Sequence, residues 1–436
     1  MTDATKPSLK WAWTFAQLGL LILPLIPALG EVGFFLALIL TWKQKYRLMI
    51  KQPFNWVLAV LSILLIISSC FAFKPIESWL GLANFLPFFA FLAAFRVLIQ
   101  KISQLRQLAW IMVIPSLPIV ILGFGQLFGG WTIPYILGWE LVANGSPPGR
   151  MASVFIYANI LAIYLLIVFI LGLGLLIDTY QAWQKGLKKH QGWVLGFLSI
   201  TVIGDGIGLI LTSSRNAWAI AFVGCVAFAL YLGWRWLVLG IATAASSVLW
   251  ASFGPAPGRD WLRQIIPVYF WGRLSDQSYP DRSLGSLRRT QWQFAWELTK
   301  QRPWTGWGLR NFTPLYQEQI HEWFGHPHNL FLMLMAEAGV PMMLLLSGLV
   351  GWAIAQAVIL IVIWSTFSLK KAQYRRNRDK LMLFTYLVAF GSCILFNIFD
   401  VTLFDLRVNT LGWLLLSAIC GVVYRYQILI KQFFQV

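Results

Sequence analysis

The stretch ILAIYLLIVFILGLGLLI, residues 160–177, runs for 18 positions without a charged side chain, and blocks of this kind recur along the chain. A helix needs about 20 apolar residues to cross the hydrocarbon of a bilayer, where only helices and closed barrels satisfy their backbone groups. The blocks lie near residues 11–29, 31–42, 54–73, 79–98, 107–128, 151–177, 192–212, 214–232, 234–254, 341–367, 381–399 and 408–429. They predict an all-α, polytopic membrane bundle of about 12 transmembrane helices. The second block is short, and Gly30 and Gly33 beside Pro27 predict a tight hairpin with the first. With 58% of the residues hydrophobic and only 11% charged, too little polar surface remains for a water-soluble fold of this length.

Charge sets the expected orientation. With the N-terminus inside, 21 of the 34 Lys and Arg residues fall on inner segments, among them Lys43, Lys45, Arg47 and Lys51 and the cluster between Lys370 and Lys380. Short outer segments keep four, Lys74, Arg150, Arg215 and Arg407, and one long outer loop holds the other nine. The positive-inside rule exempts long translocated segments, so both termini are expected in the cytoplasm. The formal charge of +18 then reflects orientation and anionic-lipid contact, with no nucleic acid as a partner. No small-x-small cleavage pattern follows the first block, which is expected to be retained. Cys70, Cys225, Cys393 and Cys420 lie in apolar blocks without C-x-x-C spacing and are expected to be small core residues.

These features divide the chain into an N-terminal membrane bundle (residues 1–254), an extracytoplasmic loop (255–325) and a histidine motif with three final spans (326–436). Eight of the loop's nine cations are arginines, whose planar fork suits bidentate contact with phosphate. Pairing with the loop's own six acids is the bland alternative. Leu287, Trp292, Ala295, Trp296 and Leu298 predict an amphipathic helix along the outer membrane surface, starting at Arg288 and Arg289 and ended by Pro303 and the turn at Gly306 and Gly308. Arg215, in LTSSRNAW, sits near membrane depth, as does Asp205 in GDGIG, and such groups mark functional sites unless they snorkel or counter a cation. FGHPHNLFLMLMAEAGVP, residues 324–341, brings His326 and His328 to the lip of an apolar run.

LTSSRNAW, RRTQWQFAW with RPWTGWGLRNF, and HPHNLFLMLMAEAGV stand in the order and loop context of the O-antigen ligase and polymerase superfamily of bacterial membrane glycosyltransferases. The chain resembles that superfamily in motif detail over about residues 200–360 and in topology throughout. The resemblance implies an enzyme that moves a glycan from a polyprenyl-pyrophosphate carrier onto an acceptor hydroxyl at the outer face of the bacterial inner membrane. It assigns the histidine before asparagine, His328, as the essential one. The serine-pair arginine matches Arg215, and the arginine opening the loop helix matches Arg289, with Arg288 as its neighbouring ambiguity.

The chemistry is consistent with those roles. A pyrophosphate-linked sugar carries a good leaving group, so it needs charge stabilisation, which Arg215 and Arg289 can supply, and a base, for which a histidine with a reference pKa of about 6.5 serves. No metal or other cofactor is required by these tasks. Asn329 is expected to cap the following helix or orient the ring, with His326, Glu337 and Asp205 as supporting residues. The acceptor, whether glycan, lipid or protein, stays open, as does ligase against polymerase. A zinc site from His321, His326 and His328, a helix-capping role for the histidines, and a bicarbonate-type transporter using Asp205 and Arg215 are the rival readings.

Overall fold

The computed structural model describes residues 7–136, 139–186, 192–275, 283, 285–366 and 373–434. Asp276, Asp281 and Arg282 of the outer loop, and Lys6, Lys188, Lys189, Lys370 and Lys371 of the inner segments, lie outside the described residues. The fold is all-α apart from a small antiparallel hairpin, β1 (Ile133–Ile136) with β2 (Trp139–Leu141). In chain order the N-terminal helices are α1 (Pro7–Ile22), α2 (Pro27–Ile50), α3 (Pro53–Cys70), α4 (Pro75–Leu98), α5 (Ile102–Phe128), α6 (Ala158–Gln184), α7 (Gly192–Leu211), α8 (Arg215–Leu232) and α9 (Arg235–Phe253). Four shorter helices follow: α10 (Gly258–Ile265), α11 (Val268–Leu274), α12 (Arg288–Gln301) and α13 (Phe312–Ile320). Then come the short α14 (Leu330–Ala338) and the long α15 (Val340–Thr366), α16 (Gln373–Phe399) and α17 (Leu406–Phe434).

Among the described residues, ten helices are long and apolar enough to cross a membrane: α3 to α9 and α15 to α17. The chain is a multi-pass membrane protein. Of the twelve expected spans, the first two fall outside these ten, because α1 has only 16 residues and α2 carries its cations inside the helix. They do form the expected hairpin. A Cβ on Gly33 would lie 2.7 Å from the Gly19 Cα, so glycine at both positions lets the two backbones touch. Pro24 and Pro27 flank the break between them.

Helix burial is uneven across the bundle. Inside the fold lie 83% of the apolar window of α17 and 72% of that of α6, against 11% for α9, so α6 and α17 form the centre and α9 the periphery. The segment between α9 and α15 builds a second, smaller core from Ala295, Leu298, Phe312, Tyr316 and Ala336. Its helix α12 starts at Arg288, as the sequence predicts, but the inward stripe differs. Gln291, Ala295, Leu298 and Thr299 are buried, one helical face at spacings of four and three, whereas Leu287 and Trp296 are exposed. That face packs on α13 and α14, so the helix spends its apolar side on protein.

The GWG turn locks this second core to the bundle. Trp307 and Gly308 donate their N–H groups to the Ala336 and Glu337 carbonyls at 2.9 and 2.8 Å, and Phe73 N–H donates to the Trp307 carbonyl at 2.9 Å. Gly306 has φ +67°, and a Cβ there would lie 2.4 Å from the Glu337 backbone, so no other residue fits this crossing.

Candidate functional site

His328 sits in the left-handed region, at φ +51°, immediately before the helix it introduces. Asn329 is the N-cap of α14, its Oδ1 accepting from Leu332 N–H at 3.0 Å, so of its two expected roles the structure shows the cap. The sharp turn directs both imidazoles toward the end of α16. There Asp400, one residue beyond the helix, accepts from His328 Nδ1 at 3.0 Å and lies 3.8 Å from His326 Nε2. The two rings meet edge-on with centroids 4.5 Å apart, and His328 N–H donates to His326 Nδ1 at 3.2 Å.

These contacts assign the protons. His326 Nδ1 accepts, so its Nε2 carries the hydrogen and faces Asp400. Burial lowers the His326 pKa to about 4, with His328 and Arg288 pushing the same way against Asp400, so the ring is neutral at ordinary pH. Burial alone would raise the Asp400 carboxyl, but the His328 hydrogen bond and the two imidazoles outweigh it and hold the group at about 2. An ionised Asp400 keeps the His328 proton on Nδ1 and leaves Nε2 as the basic lone pair.

Asp400 is held in turn. Its Oδ1 also accepts from Val401 N–H at 2.9 Å, and its Oδ2 accepts from Asn159 Nδ2 at 2.7 Å. Asn159, in the first turn of α6, accepts through Oδ1 from the Arg150 guanidinium at 2.6 Å. Arg150 is buried and its Nε donates to the Thr212 carbonyl at 2.8 Å. A continuous chain thus runs from Thr212 through Arg150, Asn159 and Asp400 to His328.

Thr212 leads into the serine pair and Arg215. Ser213 has φ +52°, Arg215 opens α8, and Asn216 Nδ2 donates to the Phe396 carbonyl of α16 at 2.9 Å. The Arg215 motif and the histidine motif are therefore attached to the same corner of the bundle. The Arg215 guanidinium itself donates to the Arg273 carbonyl at 3.2 Å, and Arg273 Nε reaches the Ser213 carbonyl at 3.3 Å. At the start of α12 both arginines are exposed, and Arg288 is the one whose charge acts on His326.

The remaining candidates lie elsewhere. Glu337 is buried and accepts from Phe312 N–H at 3.0 Å, pinning the segment after the GWG turn to α14; burial raises its pKa to about 7 against the pull of that bond. Asp205 lies inside α7, bonded to Ser116 Oγ at 3.1 Å, so its described partner is a hydroxyl and no cation. His321 ends α13 at φ +60° and is absent from the metal-capable group found among the described residues, which is His326, His328 and Asp400 with ligand atoms within 4.8 Å of one another. The three-histidine arrangement is thus not assembled; two histidines and an aspartate are.

Sequence reasoning missed Asp400, Asn159 and Arg150. An acid at the end of a span was the available signal, in FNIFDVTLFD, but Asp405 stands five residues on and pairs with Arg407 at 2.8 Å, so position alone did not distinguish them.

Beside Asp400 opens a cavity of about 350 Å³ between α14, α15, α16 and α17, with Asn397, Thr402 and Asn409 among its few polar walls. Leu334, Ile354, Phe390 and Leu416 make its body apolar, and it extends along α16 from Asn397 to Phe390. Residues 197–347, which hold Arg215, Arg288, Arg289, His326 and His328, match the family model described as O-Antigen ligase. Over that segment the chain is similar to the O-antigen ligase family. A relative from Acinetobacter baylyi described as a general O-oligosaccharyltransferase is 27% identical over 207 residues, which is 44% of this chain. The chain spans about a third of that protein's length, 32%. Asp400 lies outside the family-matched segment, so His328 meets its carboxylate from the C-terminal part of the chain.

Proposed function

We propose that the protein transfers a glycan from a polyprenyl-pyrophosphate carrier to an acceptor hydroxyl, with His328 as general base. The observation that carries this reading is the His328–Asp400 pair within bonding distance, in a chain whose segment 197–347 matches the O-antigen ligase family and whose Asn397 and Thr402, on either side of Asp400 in sequence, line an apolar cavity. Asp400 orients the ring, and His328 Nε2 takes the acceptor proton as that oxygen attacks the anomeric carbon. The bond from this carbon to the pyrophosphate oxygen breaks, and polyprenyl pyrophosphate leaves with the electron pair. Arg215 and Arg288, with Arg289 beside it, stabilise the leaving phosphates, and the apolar cavity takes lipid tail.

In this reading no metal takes part, because both chemical tasks fall to side chains. The site faces the periplasm and both termini face the cytoplasm, following the distribution of basic residues. The acceptor is a hydroxyl-bearing glycan, lipid or protein, and the relative's description as an O-oligosaccharyltransferase supports transfer to oxygen. Polymerase chemistry shares the same step with a glycan acceptor.

The test uses purified protein in lipid, a polyprenyl-pyrophosphate glycan, an acceptor mixture and a chelator. Release of free polyprenyl pyrophosphate is expected, lost in His328→Ala and reduced less in His326→Ala. Chelator-sensitive release with equal loss from both variants would instead assign the His326, His328 and Asp400 group to a metal. Solute flux that depends on Asp205 and ignores His328, without lipid cleavage, would replace the reading with transport.

A further inference from the structure

At the end of the bundle opposite His328, a second cavity of about 500 Å³ opens among the start of α5, the start of α16 and the end of α17. From Arg378 to Asp400 the chain rises 22 residues along α16, so this cavity is on the order of 30 Å from the histidine site, across the membrane. Its walls are polar. Lys101, Arg106, Arg378 and Arg425 line it, with Asp379 as the lining acid.

The cations are built in. Asp178, buried in α6, accepts from Arg378 Nε and a terminal nitrogen at 2.6 Å each and from Arg106 Nε at 3.0 Å, fixing two guanidinium planes in the wall. Arg106 also lies 3.8 Å from Asp379. Four cations thus face two carboxylates, and neither Lys101 nor Arg425 has an acidic partner among the described residues. The depth is that of headgroups. Tyr426 of the cavity wall packs edge-on against Trp364 at 4.7 Å, the aromatic pairing favoured where bilayer meets water. Ile428 and Leu429 expose apolar side chains at the end of the candidate span Leu406–Leu429, which sets the cavity at the level of a span end.

We propose that this cavity binds the phosphate of an anionic phospholipid headgroup from the leaflet opposite the His328 site. The shared chemistry is a phosphate oxyanion on fixed guanidinium groups, and the membrane depth assigns its source to lipid rather than to soluble phosphate. The assignment stands apart from the transferase reading, because it rests on other residues and a different readout.

The experiment is native mass spectrometry of delipidated full-length protein given dioleoylphosphatidylglycerol or dioleoylphosphatidylcholine. Wild type is expected to retain the anionic lipid preferentially. The Lys101→Gln/Arg425→Gln double variant, which leaves the Asp178 pairs intact, should lose retention by roughly thirtyfold, as two cations beside an anionic headgroup would contribute. A Lys43→Gln/Lys51→Gln control on the same face should lose little. Should the double variant fold poorly, wild type alone gives the answer, since its preference for the anionic lipid must fall as salt rises. Equal retention by the cavity variant and wild type, equal loss in the control, or an unscreened preference would overturn the proposal. Displacement of the lipid by millimolar inorganic phosphate would overturn the lipid assignment in favour of a soluble anion.

Discussion

Asp400→Asn is the substitution most diagnostic of the chain of bonds behind His328. The aspartate accepts on both oxygens, from His328 and Val401 on Oδ1 and from Asn159 on Oδ2. An asparagine has one acceptor and one donor group. Asn159 cannot turn over to suit it, because its Oδ1 is taken by Arg150 at 2.6 Å. If the new amide presents its oxygen to His328, two amide NH2 groups face each other across what was a 2.7 Å bond, an unsatisfied contact worth about 1–3 kcal/mol. If it presents NH2 to His328, that ring must accept on Nδ1 and carry its proton on Nε2, where it is no base. The first outcome carries that penalty, so the second is favoured and removes the base, and loss of general-base assistance is worth about 100-fold to 10,000-fold. Donor turnover by Asp400→Asn should therefore fall in that range, with a KM change of no more than a few fold. Single-turnover release of polyprenyl pyrophosphate measures it, alongside thermal unfolding to confirm a folded protein. A folded Asp400→Asn protein with more than half the wild-type rate would refute the reasoning, as His328 would then work without its carboxylate.

Other substitutions probe the surroundings. Arg215→Lys should lose at least about tenfold in turnover while keeping its charge, since an ammonium cannot reproduce a planar two-point contact, and near-normal turnover would show that only charge matters there. Gly412→Leu enters open space in the apolar cavity, with no atom within 4 Å of where its Cβ would sit, so it should leave folding intact and raise the KM for the lipid donor several fold; an unchanged KM would remove the cavity from substrate binding. Glu337 has a folded pKa of about 7 against a usual 4.5, so its stabilising contribution is complete below 4.5 and is lost as pH rises through 7, by about 3 kcal/mol at most. Glu337→Gln cannot ionise, so its thermal unfolding should show a flatter dependence between pH 5 and 8 than wild type, and parallel slopes would contradict the buried-carboxyl account.

Several features are legible in the amino-acid order alone. Apolar blocks near the length of a bilayer crossing announce a helical membrane protein, because the transfer of a segment into hydrocarbon depends on its own side chains and on little else. The α1–α2 hairpin follows from Gly30, Gly33 and Pro27, and the cap at Asn329 from its place before an apolar run, since turns and caps are short-range in origin. His326, His328, Arg215 and the arginine pair opening α12 stand out by their motifs. What the sequence could not state is which distant groups those residues meet. Asp400 reaches His328 across 72 positions and Asn159 reaches Asp400 across 241, contacts that leave no local pattern to read. The same holds for the inward face of α12, where Gln291, Ala295, Leu298 and Thr299 are buried while Trp296 is exposed, a choice made by the packing of α12 on α13 and α14. Local chemistry determined the membrane class and the reactive side chains, whereas tertiary packing determined the proton on His328, because a tautomer is set by the partner across the fold.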